Sequence, residues 1–431
     1  MSSVRRPAEH FETADHLIWR DGRAIERGRL AAAASAFAAQ LPATSHVINL
    51  CEGRATFIAA FLAAAARGIV TLLPPGGVAG QMMLRQRYPN APVIGDGDRA
   101  DFTVDLNAGQ HQPLVLPALD QIVAEVFTSG STGQPQAHAK TWRNLAGAGR
   151  RVAERLSPGG TPLNLVATVP HQHMYGLETA ILLPLVGHYA VHDARPGFPD
   201  DIRAALAAIP APRLLVTTPV HLRALLGAGV VLPPLAAILS ATAPLPRELA
   251  SQAEAAFAAP VFEIYGCTEA GSLATRRTIE GPHWTLLADI RLETEAKPVR
   301  VTAPHLEIAV PLQDMIESDG VDGFRLVGRA QDLLKVGGRR ASLSELTQTL
   351  LSIPGVVDGI VFQPGRDDDV VQRPAALVVA PDISEHEIIQ ALAHRIDPVF
   401  LPRPLRKLAA LPRNAVGKLP HATLMQLLGG R

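Results

Sequence analysis

Apolar residues fall into two rhythms along this chain. The Ala-rich, amphipathic stretch Gly28–Gln40 predicts a helix, and the short apolar run His46–Leu50 predicts a strand. Arg54–Ala66 predicts a buried helix, because its apolar run ends at Arg67 and is too short to span a bilayer. The β-branched run Ile69–Leu73 follows and is stopped by Pro74-Pro75-Gly76-Gly77. Strand, helix and strand in that order predict a βαβ unit, hence a parallel sheet covered by helices. The alternation returns with strands at Leu163–Val169, Arg213–Thr217 and Val261–Ile264, and with helices at Leu177–Leu185 and Leu245–Phe257.

The texture changes near residue 330. Beyond it come short strands (Gly359–Phe362, Ala375–Val379), helices (Ser342–Leu351, Glu385–Ile396) and several Pro-Arg turns. The expectation is an α/β protein: a large N-terminal domain, 1–330, of helix-covered, mostly parallel sheets, then a smaller α+β domain, 331–431. A chain of 431 residues, 47% hydrophobic, carries enough apolar mass for two cores. Forty basic side chains balance forty acidic ones, which argues against a nucleic-acid partner. Cys51 and Cys267 are the only cysteines, too few for a disulfide framework or a sulfur-rich zinc site. The start of the chain lacks the apolar core of a signal peptide, so the expected location is cytoplasmic with no membrane span.

Four stretches carry candidate chemistry. Phe127-Thr128-Ser129-Gly130-Ser131-Thr132-Gly133-Gln134-Pro135 follows the strand-like Ile122–Val126. Small hydroxyl and glycine residues let backbone N–H groups wrap anionic oxygens, although an ordinary polar loop fits the run equally well. No Gly-Lys-Ser/Thr closes it, so it is not a Walker loop. Tyr265-Gly266-Cys267-Thr268-Glu269-Ala270-Gly271 offers a ring to stack on a flat base and oxygens for a hard cation, or else a plain strand-end turn. Gly328–Arg340 and Leu411–Leu419 are the third and fourth; a lysine on a glycine turn is normally a solvated surface residue.

In this order and at these separations the four stretches resemble the motifs of the adenylate-forming superfamily, which includes acyl-CoA ligases, peptide-synthetase adenylation domains and luciferases. The likeness covers about residues 120–420. It implies that ATP activates a carboxylic acid to an acyl-adenylate, releasing pyrophosphate, and that a thiol then displaces AMP. It further implies that Thr128, Ser129, Gly130, Ser131, Thr132 and Gly133 hold phosphates, and that Glu269 and Thr132 sit by Mg²⁺. Tyr265 and Gly266 would face adenine opposite Ser240, Ala241 and Thr242, with Thr268 in the same turn. Asp314 and Arg329 would hold ribose or phosphate, and Lys418 would bridge the attacking carboxylate and the α-phosphate. Gly338 would line a pantetheine tunnel after the smaller, mobile domain swings. His173, in Pro170-His171-Gln172-His173-Met174-Tyr175-Gly176, matches a histidine beside the acyl pocket, while His171 reads as structural.

The chain departs from the family pattern at several points. Gln136-Ala137 stands where the family has Lys-Gly, and Lys140 is expected to replace the missing charge on the loop; a solvated lysine is the alternative. The hinge position falls on Gln331, followed by Asp332. The chain is shorter than the usual acyl-CoA ligase, with the deficit expected over 281–311, where the CoA nucleotide would be held. These features resemble short aroyl or acyl carrier-protein ligases of arylpolyene-pigment pathways. The expected acceptor is therefore the phosphopantetheine thiol of a carrier protein, with free CoA as the alternative, and the expected acid is aromatic or of medium size. A third reading, suggested by Gln136 and Gln331, is a non-catalytic adenylate-binding regulator. Arg339, Arg340, Arg403, Arg406 and Lys407 offer a face to an acidic carrier. Residues 331–431 hold twelve basic against ten acidic side chains, however, so a scattered solvated surface fits as well.

Overall fold

The computed structural model describes residues 16–75, 77–129, 135–320, 322–329, 333–336, 339–365, 373–413 and 419–429. β1 (His16–Arg20) and β2 (Arg23–Glu26) form a hairpin leading into α1 (Arg27–Ala38). β3 (His46–Asn49), α2 (Arg54–Ala66) and β4 (Val70–Leu73) make the expected βαβ unit, with the two strands parallel. α3 (Gly77–Arg87), β5 (Val93–Ile94), β6 (Ile122–Ser129) and β7 (Pro135–Thr141) follow, and the sheet order is β5-β3-β4-β6-β7. Only the β6–β7 pair is antiparallel. α2 has no polar face and is buried along nearly its whole length, as an all-apolar helix must be.

α4 (Trp142–Leu156) opens on a capping box in which Thr141 and Asn144 satisfy each other's backbone N–H. After β8 (Leu163–Ala167) comes α5 (Met174–Gly176), which runs into a π-helical turn, Leu177–Leu182, and then α6 (Leu183–Val186). The helix expected over Leu177–Leu185 is therefore a composite. Pro184 has no N–H to give the Ala180 carbonyl, so a regular α register cannot run through it. β9 (Tyr189–His192), α7 (Pro199–Ala207), β10 (Arg213–Thr217), α8 (Pro219–Gly227), β11 (Ala237–Ser240), α9 (Arg247–Phe257) and β12 (Val261–Cys267) continue the alternation.

β13 (Gly271–Arg277) and β14 (His283–Leu286) turn the chain antiparallel. β15 (Arg291–Glu293), β16 (Arg300–Thr302) and β17 (Val310–Pro311) form a small antiparallel sheet in the region of the expected deficit. β18 (Asp314–Ser318) and β19 (Gly323–Arg329) close an eleven-stranded sheet of order β18-β19-β14-β13-β12-β11-β10-β8-β9-β1-β2. Its centre, from β12 to β1, is parallel. Arg54, fully buried at the start of α2, joins the two sheets. Its guanidinium donates to the carbonyls of Ala167 and His192, each at 2.7 Å, at the ends of β8 and β9.

The remainder is smaller and mixed. β20 (Leu333–Val336) pairs with β21 (Arg339–Ser342), and α10 (Leu343–Leu351) follows. β22 (Asp358–Phe362), β23 (Ala375–Val379), α11 (Glu385–Ala393), β24 (Leu405–Lys407) and α12 (His421–Gly429) complete it, with sheet order β22-β23-β24. Leu334, Leu350, Val378 and Ile388 belong to an apolar core of its own. Ala330, Gln331 and Asp332, where the boundary and hinge are expected, lie outside the described residues. No described helix is long and apolar enough to cross a membrane.

Candidate active site

The serine–glycine stretch enters and leaves on paired antiparallel strands. Thr128 pairs with Gln136 and Ser129 with Pro135; Gly130, Ser131, Thr132 and Gly133 lie outside the described residues. Side chains alternate along a strand, so Gln136, His138 and Lys140 share one face of β7. That face meets the Glu269 turn: His138 Nε2 lies 3.9 Å from Glu269 Oε1, and Lys140 Nζ donates to the Glu269 carbonyl at 2.8 Å. Lys140 is 3% exposed, and burial lowers its pKa. It stands five residues back from Pro135, about 16 Å along the strand. The lysine expected to replace the missing loop charge is thus engaged with the Glu269 turn, while loop residues 130–134 lie outside the described residues.

β12 ends in a bulge between Tyr265 and Gly266. A Cβ on Gly266 would lie 2.3 Å from the Gly271 carbonyl oxygen, so only glycine lets β12 and β13 approach here. Tyr265 is 9% exposed, its ring packed near Trp284 and Phe324 at centroid distances of 5.7 and 5.5 Å. Its hydroxyl donates to Asp314 Oδ2 at 2.8 Å. Asp314 opens β18 directly opposite Arg329 on β19. Three positions expected to hold one nucleoside therefore converge from distant parts of the sequence.

Ser240 ends β11 beside Tyr265's strand. Its Oγ is buried and, like Thr242 Oγ1, has no hydrogen-bond partner among the described residues. Thr242 also adopts φ +77°, a left-handed backbone that a β-branched residue takes only under constraint. Ala241, between them, is 8% exposed. Buried hydroxyls without partners are uncommon and require an explanation such as a ligand.

In the segment expected beside the acyl pocket, the Tyr175 hydroxyl donates to the carbonyls of Leu239 (2.9 Å) and Thr217 (3.2 Å), which ties it to the ends of β11 and β10. Burial raises its pKa well above the ordinary phenol value. His173 begins the following helix and is half-buried. Gly176 packs so tightly that a Cβ would sit 2.0 Å from the Pro170 oxygen. His171 is 2% exposed, its Nε2 lies 2.8 Å from the Cys51 carbonyl, and its ring meets the Phe57 ring edge-on. Burial, then nearby Arg54, pushes its pKa down to about 3. An apolar cavity of about 410 Å³, lined by Leu225, Val231 and Phe257 among others, contains none of the site residues.

Glu178 and His305 escaped the sequence reading. Glu178 takes the Ser272 N–H at 3.2 Å and also its hydroxyl, and His305 Nε2 lies 3.2 Å from the Ala270 carbonyl. A carboxylate alone within the apolar run Gly176–Val186 was the available signal for Glu178; His305 gave none. Lys418 and Gly338 lie outside the described residues.

The described donors fit an adenine nucleotide with magnesium. Ser240 and Thr242 supply unspent hydroxyls, Gly266 is exposed, and Glu269 is an exposed carboxylate. Magnesium commonly takes one or two carboxylates, with phosphate oxygens and water completing its shell. Accordingly, no cluster of three acidic, His or Cys side chains is needed, and none occurs among the described residues.

Solved structures share this fold. o-Succinylbenzoate CoA synthetase (MenE) from Bacillus subtilis, solved with its acyl-adenylate intermediate, superposes with a TM-score of 0.77 at 19% identity, covering 97% of this chain and 96% of that one. The same enzyme solved with ATP and magnesium ion gives 0.78 at 19% identity, over 95% and 96% of the two chains. The fold is thus that of the two-domain adenylate-forming enzymes, and the overall length is shared with MenE. A 4-coumarate–CoA ligase from Rhodobacter capsulatus is 30% identical over 317 residues, 72% of this chain and 78% of the other. Residues 81–314 match the AMP-binding enzyme family, and the chain belongs to that family.

Proposed function

We propose that the protein is an acid–thiol ligase that activates a carboxylic acid with ATP and Mg²⁺ and passes the acyl group to the phosphopantetheine thiol of CoA. The observation that carries this reading is the Tyr265–Asp314 bond on the strand next to the one that ends at Ser240, whose hydroxyl, like that of Thr242, has no partner among the described residues. A substrate carboxylate oxygen attacks the α-phosphorus as the bond to the bridging β-oxygen breaks and pyrophosphate leaves. The thiolate sulfur then attacks the acyl carbon, and AMP departs with the shared oxygen. Two anions must meet in the first step, so neutralising charge is the chief catalytic demand. Lys418 would supply that charge at the carboxylate and α-phosphate, Thr128–Gly133 would hold the outer phosphates, and Glu269 and Thr132 would hold magnesium, which would offset phosphate charge. Tyr265 and Asp314 orient the nucleoside, and Tyr175 and His173 border the acid.

CoA is favoured over a carrier protein on two grounds. The curated relative is named a CoA ligase. Two of the basic side chains offered to a carrier are also engaged internally: Arg339 pairs with Asp397, and Lys407 Nζ reaches the carbonyls of Ile383 (2.5 Å) and Pro381 (3.5 Å). Acid-dependent exchange of pyrophosphate into ATP tests the first half-reaction over a panel of aromatic and aliphatic acids. Thioester formation with CoA, set against a holo carrier protein, tests the second. No exchange with any acid, despite ATP binding, would leave the regulatory reading standing instead.

A further inference from the structure

Three buried side chains from three separate segments converge on the backbone of one turn. Lys140, on β7, donates to the Glu269 carbonyl at 2.8 Å. His305, in the loop between β16 and β17, meets the Ala270 carbonyl at 3.2 Å, and its own carbonyl takes Asn144 Nδ2 at 2.6 Å. Glu178 receives the Ser272 N–H at 3.2 Å and the Ser272 hydroxyl. Gly271 stands at φ +81°, where a Cβ would lie 2.5 Å from Glu178 Oε1 and 3.1 Å from Ala148 Cβ. Glycine is what lets the carboxylate seat against the turn. Glu178 itself sits in the π-helical turn, a local rewinding often found at functional sites.

This arrangement is poorly suited to stability. Lys140 is 3% and Glu178 1% exposed, and burial drives both toward their neutral forms. Stripping such groups of water costs several kcal/mol each, so well-packed apolar residues would stabilise the fold as well or better. What the three groups achieve is fixed geometry. They hold the main chain of a turn whose own side chain, Glu269, stays 44% exposed on the hairpin side, beside His138.

We propose that Lys140, with Glu178 and His305, is a positioning residue that locks the Glu269 turn through its backbone and so sets that carboxylate for magnesium before the nucleotide arrives. The proposal rests on the reading of Glu269 as a magnesium-side residue. It gives Lys140 a role different from that of the loop lysine expected at position 136.

Calorimetric titration of the full chain tests it, with ATP in the presence and absence of Mg²⁺ and with AMP alone, for the wild type, Lys140→Met, Glu269→Gln and the double variant. The wild type should bind ATP more tightly with Mg²⁺. Lys140→Met should lose about tenfold of that gain, equivalent to about 1.4 kcal/mol of coupling, while AMP affinity changes less than about twofold. The double variant should be no worse than Glu269→Gln. Equal losses for AMP and Mg·ATP, or full additivity in the double variant, would overturn the proposal. Absence of any Mg²⁺ gain in the wild type would instead overturn the reading of the nucleotide site beneath it. Should Lys140→Met not fold, Ser272→Ala loosens the same turn and is expected to show the same pattern at about threefold; an unchanged Mg²⁺ gain there counts against the clamp.

Discussion

The Tyr265 hydroxyl is bonded to Asp314 at 2.8 Å across 49 residues of sequence. One partner ends a parallel central strand and the other opens an antiparallel flank. The bond thus spans the place where the large sheet changes direction.

Tyr265→Phe keeps the ring among Trp284 and Phe324 but leaves Asp314 without that donor. AMP affinity should fall about fivefold, the scale of one net hydrogen bond of ~1 kcal/mol, with the fold intact by circular dichroism. An unchanged dissociation constant would mean that the phenol does not orient Asp314.

Lys418→Ala should slow adenylation by about 10²–10³-fold, as expected on removing one charge-stabilising donor. Thioester formation from a preformed acyl-adenylate should survive, because the carboxylate has by then been joined. Pyrophosphate exchange at the wild-type rate would dismiss the lysine from the first step.

Gly266→Ala sets a methyl 2.3 Å from the Gly271 oxygen and 2.8 Å from the Ser272 Cα, both rigid backbone. The strands must part, at an expected cost of about 1–3 kcal/mol. Thermal melting should detect the loss, and nucleotide binding should weaken with it. A melting temperature equal to that of the wild type would show that the bulge yields freely.

Acid should destabilise the protein through two histidines. Burial holds His171 down to about 3 and His305 to about 4. Both values lie below the unfolded value of about 6.5, so in that window the unfolded chain binds protons that the folded one refuses. Their contribution is fully present above pH ~6.5 and declines as pH falls toward the folded values, by up to about 1.4 kcal/mol per pH unit for each ring. Urea titrations between about pH 4.5 and 6.5 should show this slope, and His171→Gln should reduce it by one proton's share. An identical slope in that variant would place the acid sensitivity elsewhere.

Local regularities were easiest to read from sequence. Arg54–Ala66 announces a buried helix by lacking any polar face, and it forms over those residues. Arg213–Thr217 and Ala375–Val379 likewise stand where their β-branched and apolar runs put them. Tyr265 and Arg329 sit in recognisable local motifs, whereas Asp314 is placed only by counting back from Gly328; the fold brings Asp314 to both. Lys140 was visible, but its partner was not: a main-chain carbonyl 129 residues away leaves no trace in side-chain pattern. Glu178 broke an apolar run without saying what it would meet, and the π-helical winding depends on packing that periodicity does not encode. His305 lies in a segment with neither period. The misses therefore share a cause, since each is a side chain recruited to distant backbone rather than to a neighbouring side chain.

Arg54 has one more implication, for how the large region comes apart. The carbonyls it satisfies belong to strands of one sheet, while its own helix covers the other. Parting the two layers would break these bonds and open to water the apolar faces packed around a fully buried side chain. Arg54 therefore couples the layers, and they are expected to unfold together rather than one at a time.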